Sequence, residues 1–326
     1  MISVDHFWWL ALALAIDAIV GDPDFLWRRA PHPVAILGAL VDLLDRLLNR
    51  PTLSAAWRYV LGAIALLIVV EIAALAGLAL QWLFTLAPHG WIGTVVIAAM
   101  LLAGRSLYDH VAAVSTAFRT GGLDAARLAV SRIVGRDPAS LDEARICRAA
   151  IESAAENFSD GVVAPAFWFL LLGLPGLFAY KAINTADSMI GHLTDRHRAF
   201  GRAAARLDDL VNMPASRIAG GLIALAAPFA GGGVATSLRL MVAEARKHRS
   251  PNAGGPEAAM AAALGLALAG PRRYGGIIVS DPFLNQSGRR EARPEDIDRV
   301  LRVYLAANAG LFVLVALAAL GIWLVR

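Results

Sequence analysis

The chain has 326 residues, of which 58% are hydrophobic and only 17% are charged, with a formal net charge of +4. This composition excludes an ordinary soluble domain, which carries more charge and fewer apolar side chains, and it predicts an integral membrane protein. The single cysteine, Cys147, excludes an internal disulfide framework and a zinc site built from cysteines. Because no basic stripe with interleaved aromatic residues occurs, we expect no nucleic-acid partner.

The chain contains two classes of apolar segment: full membrane spans, and segments that Pro and Gly interrupt. Residues 7–20 contain Asp17 and lack the cleavage pattern of a secretory signal, so we interpret them as a retained helix. Two other segments are interrupted by Pro and Gly and are predicted to be broken: 162–180, with GLPG at 173–176, and 218–242, with AGGG at 230–233. The full spans are predicted at 7–20, 59–84, 91–107 and 303–325.

Basic residues set the predicted topology, because cytoplasmic loops of membrane proteins carry the excess of Lys and Arg. All but one of the 30 basic residues fall in five intervals, which we place on the cytoplasmic face of the inner (cell) membrane, with both termini outside. This placement requires the two broken segments to enter and leave on the same side, as re-entrant hairpins. The intervals are 21–58, 105–160, 181–217, 239–257 and 271–302.

The expected fold is therefore all-α and polytopic. It has about four full spans, broken or re-entrant helical hairpins, and cytoplasmic amphipathic helices. We expect a single membrane domain over residues 1–326, with a helical insertion at about 105–160 and motif-bearing cytoplasmic loops at 181–217 and 243–302. Within the insertion, GGLDAARLAVSRIVGRD shows apolar residues at helical spacing after a Gly-Gly start.

The stretch ESAAENFSDG at 152–161 places three carboxylates directly before an apolar segment. Glu152, Glu156 and Asp160 fall at i, i+4 and i+8, which on a helix is one face, with Asn157 nearby. Oxygen ligands of this kind suit Mg²⁺, which commonly bridges a protein to substrate phosphates. A solvated acidic helix end is the alternative interpretation.

The stretch YKAINTADSMIGH at 180–192 carries a second polar helical face. Asn184, Asp187 and Ser188 share that face, and Lys181 lies one turn earlier. Polar groups at a membrane edge are costly and tend to mark function. The alternatives are hydrogen bonds between packed membrane helices and a lysine that extends to the interface.

Three other stretches add polar candidates. In ARLDDLVNMPASR at 205–217, Asp208, Asp209 and Asn212 group by helical spacing, although Asp208 could instead pair with Arg206. The Pro/Gly-rich stretch KHRSPNAGGPEAAM at 247–260 could bring backbone groups to a phosphate, or be only a turn before a helix that has Glu257 in its first turn. DAIVGDPDFLWRRAPHPVAILG at 17–38 adds Asp22 and His32, and a helix stop followed by a turn explains it equally well.

The basic residues are 28 Arg and two Lys, Lys181 and Lys247. A lysine ammonium is a compact point charge, whereas an arginine guanidinium is a rigid planar fork. We therefore expect the two retained lysines to bind phosphoryl groups. The alternative is that they are incidental.

Taken together, these motifs resemble one family. GDP, HPV, SRIVGRD, ESAAENFSDGVVAP, YKAINTADSMIGH, ARLDDLVNMPASR and KHRSPNAGGPEAAMAAALG stand in the order found in adenosylcobinamide-phosphate synthases. These are the CobD/CbiB membrane proteins of cobalamin biosynthesis, and the resemblance runs from about residue 17 to 275. It implies an enzyme, a carbon–nitrogen ligase, that uses ATP and Mg²⁺. The reaction would join adenosylcobyric acid to (R)-1-amino-2-propanol O-phosphate and give adenosylcobinamide phosphate.

The roles expected within such a site divide into three groups. The catalytic residues would be Glu152, Glu156, Lys181 and His248, with a carboxylate or His248 as general base. Mg²⁺ would be held by Glu152, Glu156, Asp160, Asp187, Asp208 and Asp209. Substrate and phosphate would be bound by Asp22, His32, Asn157, Asn184, Ser188, Arg206, Arg217, Lys247, Ser250, Asn252 and Glu257. The expected partners are the two small-molecule substrates, membrane lipid, and other membrane enzymes of late cobalamin assembly.

Two alternatives of other classes remain at this point. An Mg²⁺-dependent membrane transferase acting on isoprenoid diphosphates would show paired DDxxD-like motifs, which only DDLVN approaches. A non-enzymatic membrane sensory relative of the family would not need ESAAEN, KAINTADS and SPNAGGPEAAM, and their presence favours the enzyme.

The charge asymmetry generates a prediction about topology. Single cysteines at positions 89, 120, 195 and 285, in a Cys147→Ser background, should differ in labelling by an impermeant thiol reagent added to intact cells. Only position 89 should react, because the link that contains it has no basic residues. Labelling at position 195 would show that residues 162–180 cross the membrane completely.

Overall fold

The computed structural model of the protein describes residues 4–22, 27, 29, 31–134, 141–274, 277–279 and 281–325. Over this part of the chain helices dominate, which confirms the all-α prediction. The helices are α1 (Val4–Val20), α2 (Pro33–Leu48), α3 (Ala55–Thr85), α4 (Trp91–Leu101), α5 (Gly104–Val130), α6 (Glu143–Phe158), α7 (Ala164–Ile190), α8 (Arg202–Ala226), α9 (Val234–Glu244), α10 (Gly254–Leu264) and α11 (Pro294–Val325).

Two small antiparallel ladders follow α10, and the sequence did not predict them. Their register pairs Leu268 with Leu284 and Arg272 with Val279. At two or three residues each, these strands form local hairpins and leave the fold class unchanged. The strands are β1 (Leu268–Ala269), β2 (Arg272–Tyr274), β3 (Ile277–Val279) and β4 (Phe283–Leu284), with β1 paired to β4 and β2 to β3.

The two motif-bearing regions that the sequence predicts as loops, 181–217 and 243–302, contain long helical stretches. Residues 181–217 continue α7 to Ile190 and begin α8 at Arg202, so only 191–201 lie between helices. Residues 243–302 contain α10 and the start of α11. The predicted Gly-Gly helix start is confirmed in α5, where Gly122 has φ +68° and interrupts the helical conformation.

The first predicted broken segment is confirmed in α7. Gly173 adopts φ +68° and ψ −150°, which only glycine adopts readily, and Pro175 follows within the helix. The backbone N–H of Leu174 donates a hydrogen bond of 2.9 Å to Oε1 of Gln81 on α3. A side chain of a neighbouring helix therefore satisfies a donor at the break, as an apolar environment requires.

The second broken segment is also confirmed. Between α8 and α9 the chain forms a 3₁₀ turn at Ala227–Ala230, followed by Gly231 with φ +80°. Gly232 approaches α10 closely, since an added Cβ would lie 2.4 Å from the carbonyl oxygen of Ala263. The prediction that both broken segments enter and leave the membrane on the same side stays a prediction.

In the described part of the chain, five helical stretches are long and apolar enough to cross a membrane. The protein is therefore a polytopic membrane protein. The predicted segments 59–84 and 303–325 fall in α3 and α11, whereas α1, at 17 residues, is not among the five. The five stretches are Ala55–Thr85, Trp91–Val130, Glu143–Ile190, Arg202–Ala230 and Pro294–Val325.

The chain divides into two compact units. The first unit contains residues 1–103, 164–212 and 315–326, and the second contains residues 104–163 and 213–314. In the first unit, Val41, Val69, Ala186 and Phe200 belong to a buried apolar cluster shared by α2, α3, α7 and the segment before α8. The predicted insertion lies in the second unit, and the expectation of a single membrane domain stays a prediction.

A buried carboxylate fixes residues 191–201 within the first unit. Asp45 Oδ2 accepts hydrogen bonds from Arg196 Nε and Nη2, at 2.9 and 2.6 Å, and Asp45 Oδ1 accepts from Asn49 Nδ2 at 2.7 Å. Asn49 Oδ1 in turn accepts from Arg58 Nε at 2.8 Å. Burial raises the pKa of Asp45, but the bonds from Asn49 and Arg196 outweigh this and hold it below its usual value. The network therefore stabilises the ionised carboxylate.

This network predicts a specific loss of stability. Asp45→Ala should lower the free energy of unfolding by about 2 kcal/mol, because Asn49 and Arg196 lose a charged acceptor. The loss should be full at neutral pH and shrink as the pH falls through the lowered pKa, where the wild-type carboxylate becomes protonated. Thermal unfolding in detergent measures it. Asp42→Ala is the control, since Asp42 pairs with Arg46 on the exposed side of α2. Equal losses in both variants would contradict the prediction.

Candidate active site

In the first unit, a chain of hydrogen bonds connects two of the polar motifs. Tyr180 Oη on α7 donates to Asn212 Oδ1 on α8 at 2.9 Å. Asn212 Nδ2 donates to Asp208 Oδ2 at 2.9 Å, and Asn184 Nδ2 donates to Asp208 Oδ1 at 3.3 Å. Both oxygens of the buried Asp208 carboxylate are thus oriented by amides. The alternative pairing with Arg206 does not form, because Arg206 is exposed on another side of α8.

Asp187 stands close enough to Asp208 for the two carboxylates to interact electrostatically. Gly191 makes room for it, since a Cβ there would lie 1.9 Å from Asp187 Oδ1. Two like charges that repel each other in this way favour the binding of a cation. The structure leaves Asp209 half-buried on α8 and Ser188 exposed on α7.

His32 brings the N-terminal motif close to Lys181 on α7. Its Nε2 lies 3.9 Å from Asp22 Oδ1, and its Nδ1 accepts the backbone N–H of Val34 at 3.1 Å, which caps α2. Burial lowers the pKa of His32, and the charge of the buried Lys181 acts in the same direction against that of Asp22. A neutral ring agrees with Nδ1 as an acceptor. The structure therefore associates Asp22, His32 and Lys181, which are far apart in the sequence.

In the second unit, the carboxylates of α6 have different environments. Glu152 is buried, and its Oε1 accepts the backbone N–H of Ala269 at 2.8 Å. Ala269 has φ +57°, an uncommon value outside glycine, so this bond supports a strained residue in β1. Glu156 and Asn157 are exposed, and Asn157 Nδ2 donates to the carbonyl of Ser153 at 2.9 Å.

The expected i+8 register of Asp160 does not hold. Helix α6 ends at Phe158, and Ser159–Val163 form a π-helical turn that contains Asp160. A π turn holds more residues than an α turn, so Asp160 is displaced from the position that regular α-helix would give it. Such turns occur frequently at functional sites.

The SPNAGGP loop (residues 250–256) is organised around His248 and Ser250. His248 Nδ1 accepts the backbone N–H of Ser250 at 3.1 Å, while Nε2 lies 3.7 Å from Oε1 of the buried Glu257. Ser250 Oγ accepts the backbone N–H groups of Asn252 and Ala253, each at 3.2 Å. The predicted loop leading into a helix is confirmed, with Glu257 in the first turn of α10.

Arg217 attaches the end of the third motif to this loop. Its Nη1 donates to Asn252 Oδ1 at 3.1 Å and to Ser216 Oγ at 2.8 Å. Two predicted substrate residues from separate motifs are thus in contact. The two groups that accept these bonds are neutral, so the bonds leave the positive charge of Arg217 uncompensated.

A cavity of about 500 Å³ opens beside the SPNAGGP loop. Four of its lining side chains are basic or can become so, which suits an anionic ligand. Arg246 and Arg249 were not predicted from the sequence, although they flank the predicted residues Lys247 and His248. The lining residues are Ser216, Arg217, Met241, Val242, Ala245, Arg246, His248, Arg249, Pro251 and Gly255.

Lys247 does not line this cavity. Its Nζ donates to Glu244 Oε1 at 2.8 Å, and Glu244 Oε2 accepts the backbone N–H of Asn285 at 2.6 Å. Burial raises the pKa of Glu244, but these two bonds outweigh it and hold the pKa below its usual value. The structure therefore places Lys247 in a salt bridge that supports the segment directly after β4.

Comparison with known proteins decides the family. The family model described as "CobD/Cbib protein" matches residues 10–304. The chain belongs to the CobD/CbiB family. It is 53% identical over 301 residues to "Cobalamin biosynthesis protein CobD" of a Sinorhizobium species, a match that covers 91% of this chain and 93% of the relative. It is 50% identical over 314 residues to the protein of that name in Rhizobium meliloti (strain 1021), covering 95% and 96%. No solved structure matches the chain.

In this CobD/CbiB protein, carboxylate side chains are the candidate ligands of a metal ion. Among the described residues, no three His, Cys, Asp or Glu side chains converge as a metal site. Mg²⁺ usually binds through one or two carboxylates, with water and substrate phosphates completing its shell. Asp187 and Asp208 are two interacting carboxylates, which is the number that this requirement needs. The metal roles of Glu152, Glu156, Asp160, Asp187, Asp208 and Asp209 stay predictions.

The buried amide network of this CobD/CbiB protein generates a prediction. Asn212→Ala should lower the free energy of unfolding by about 1–3 kcal/mol, because the Tyr180 hydroxyl and one Asp208 oxygen lose their partner in a buried site. Thermal unfolding in detergent measures the loss. Ser188→Ala, an exposed change on α7, should stay within about 0.5 kcal/mol of wild type. An Asn212→Ala protein as stable as the control would show that the network is not stabilising.

Proposed function

We propose that this protein is an adenosylcobinamide-phosphate synthase. It would join a propionate carboxylate of adenosylcobyric acid to the amine of (R)-1-amino-2-propanol O-phosphate, using ATP and Mg²⁺. The observation that carries the proposal is the cavity beside the SPNAGGP loop, because its basic lining suits a phosphate-bearing substrate. Membership of the family and relatives named for cobalamin biosynthesis support the pathway.

Three arginines line this cavity, of which Arg249 also pairs with the Asp281 carboxylate. Arg217 is held by neutral acceptors, and Arg249 Nε donates to Asp281 Oδ1 at 2.7 Å. Arg246 is the third lining guanidinium. Guanidinium groups bind phosphate oxygens by paired, charge-assisted hydrogen bonds, which would position the amino alcohol through the end that does not react.

His248 is the proposed general base for the amine. An alkylammonium ion must lose a proton before its nitrogen can attack a carbonyl carbon. The ring would take the proton at Nδ1, which gives up the bond from the backbone N–H of Ser250, and the Glu257 carboxylate beside Nε2 would stabilise the imidazolium that forms. The ring also lines the cavity, where the phosphate end of the amino alcohol would be held.

Activation of the carboxylate requires a phosphoryl donor, because a free carboxylate does not react with an amine. The proposed nucleotide residues are Lys181, Asn184 and Asp187 on α7, with Asp208 on α8. Mg²⁺, held by Asp187 and Asp208 together with nucleotide phosphates, would neutralise phosphoryl charge. Since ATP is present in the cytoplasm, we propose that the site lies on the cytoplasmic side of the inner membrane.

The assay of this proposal uses purified full-length protein in detergent with adenosylcobyric acid, the amino-alcohol phosphate and MgATP. Formation of the amide, with one ATP consumed for each product, is expected. A protein that binds these compounds without forming the amide would be a non-enzymatic relative. Turnover of an isoprenoid diphosphate instead would favour the transferase alternative.

Arg246→Gln should raise the KM for the amino-alcohol phosphate about tenfold, because a charged hydrogen bond to the phosphate is lost. The kcat should change little, since that contact would be the same in the ground and transition states. Arg239→Gln is the matched control, because Arg239 is exposed on α9 and does not line the cavity. Identical kinetics in the two variants would remove this cavity from the proposal.

A further inference from the structure

A second basic cavity lies in the first unit, and none of its lining residues belongs to the proposed ligase site. Its volume is about 500 Å³, and it opens at the N-terminal end of α3, the most apolar of the five candidate spans. Three arginines line it against one aspartate. The lining residues are Ala55, Ala56, Arg58, Tyr59, Asp195, Arg198, Ala199 and Arg202.

The positive charge of this cavity is available to a ligand. Arg58 donates to Asn49 Oδ1 at 2.8 Å and to the backbone carbonyl of Arg196, both of which are neutral acceptors. Within the described residues, neither Arg198 nor Arg202 forms a salt bridge, and both side chains are exposed. An anion entering the cavity would therefore not have to displace a carboxylate.

The walls of the cavity are fixed before any ligand binds. An added Cβ at Gly62 would lie 1.9 Å from the carbonyl oxygen of Phe200, so the segment that carries Arg198 rests directly on α3. Phe200 is fully buried in the apolar cluster of this unit. The bond between Asp45 and Arg196 holds the same segment from the other side. Such preorganisation reduces the entropy lost on binding.

An exposed apolar stripe begins at the same end of α3, where Val60 lies one turn beyond Ala56 at the edge of the cavity. Trp57, Val60, Ile64 and Leu67 are 62, 43, 44 and 56% exposed and fall at helical spacing on one face. Ten residues of α-helix rise about 15 Å, the depth of one leaflet of the hydrocarbon core. Tyr59 and Trp57 stand at the end of the span, where aromatic side chains typically meet the headgroups.

We propose that this cavity binds the phosphate headgroup of an anionic phospholipid, with the acyl chains along the exposed face of α3. Charge selects a negative headgroup, and the adjoining apolar stripe selects a lipid over a free phosphate. Basic pockets at the cytoplasmic end of membrane helices are a common means of recognising anionic lipids. This site is independent of the proposed ligase reaction.

The test uses full-length, delipidated protein in an uncharged detergent, which removes any general surface potential. Phosphatidylglycerol and phosphatidylcholine with the same short acyl chains are titrated, and bound lipid is counted by native mass spectrometry. We expect wild type to prefer phosphatidylglycerol. Arg198→Gln/Arg202→Gln should weaken that binding about tenfold or more, because each basic residue contributes roughly 1 kcal/mol. Binding of phosphatidylcholine should not change.

Arg46→Gln/Arg50→Gln is the matched control, since it removes two exposed arginines of the same unit that do not line the cavity. It should bind phosphatidylglycerol within about twofold of wild type. Equal losses in both double variants would show general charge attraction and overturn the proposal, as would unchanged binding in Arg198→Gln/Arg202→Gln. Inorganic phosphate is titrated in parallel by thermal shift. Stabilisation by phosphate alone that depends on Arg198 and Arg202 would replace the lipid with a free anion.

Discussion

The hydrogen bond from the Leu174 backbone to Gln81 Oε1 allows α7 to break inside an apolar segment. Gly173 supplies the backbone conformation, but an N–H left without a partner in hydrocarbon would cost several kcal/mol. The partner comes from α3, so the break exists only where these two helices pack. The direction in which α7 continues, and with it the placement of Lys181, Asn184 and Asp187, depends on this bond.

Neutral hydrogen-bonding groups surround the key charges of both units. Amides of Asn184 and Asn212 orient Asp208, and backbone carbonyls or amide oxygens hold Arg58 and Arg217. Neutral partners orient an ion without cancelling its charge, which keeps that charge usable for a ligand. Asp45 and Lys247 instead pair with opposite charges, and each stabilises a segment of the fold.

Local patterns in the sequence were enough to predict helices, breaks and polar faces. The break at Gly173 followed from Gly and Pro in an apolar run, and the family motifs identified Asp208 and His248 as candidates. Tertiary partners were not predictable in this way, because the bond from Ala269 to Glu152 joins residues far apart in the chain. Arg246 was not predicted because it is one of 28 arginines in the sequence. Only the packing of the folded chain shows which of them line a cavity.

The partnership between Asp45 and Arg196 also imposes an order on synthesis. These residues are 151 positions apart, so the carboxylate leaves the ribosome long before its guanidinium exists. At roughly 5–20 residues per second, the wait is about 8–30 s. Helix α2 is not among the five membrane-spanning candidates, so Asp45 can remain hydrated during that time. Helix α3 can therefore enter the bilayer before the segment that joins it to α2 has been made, so this contact closes late because of the order of residues in the chain.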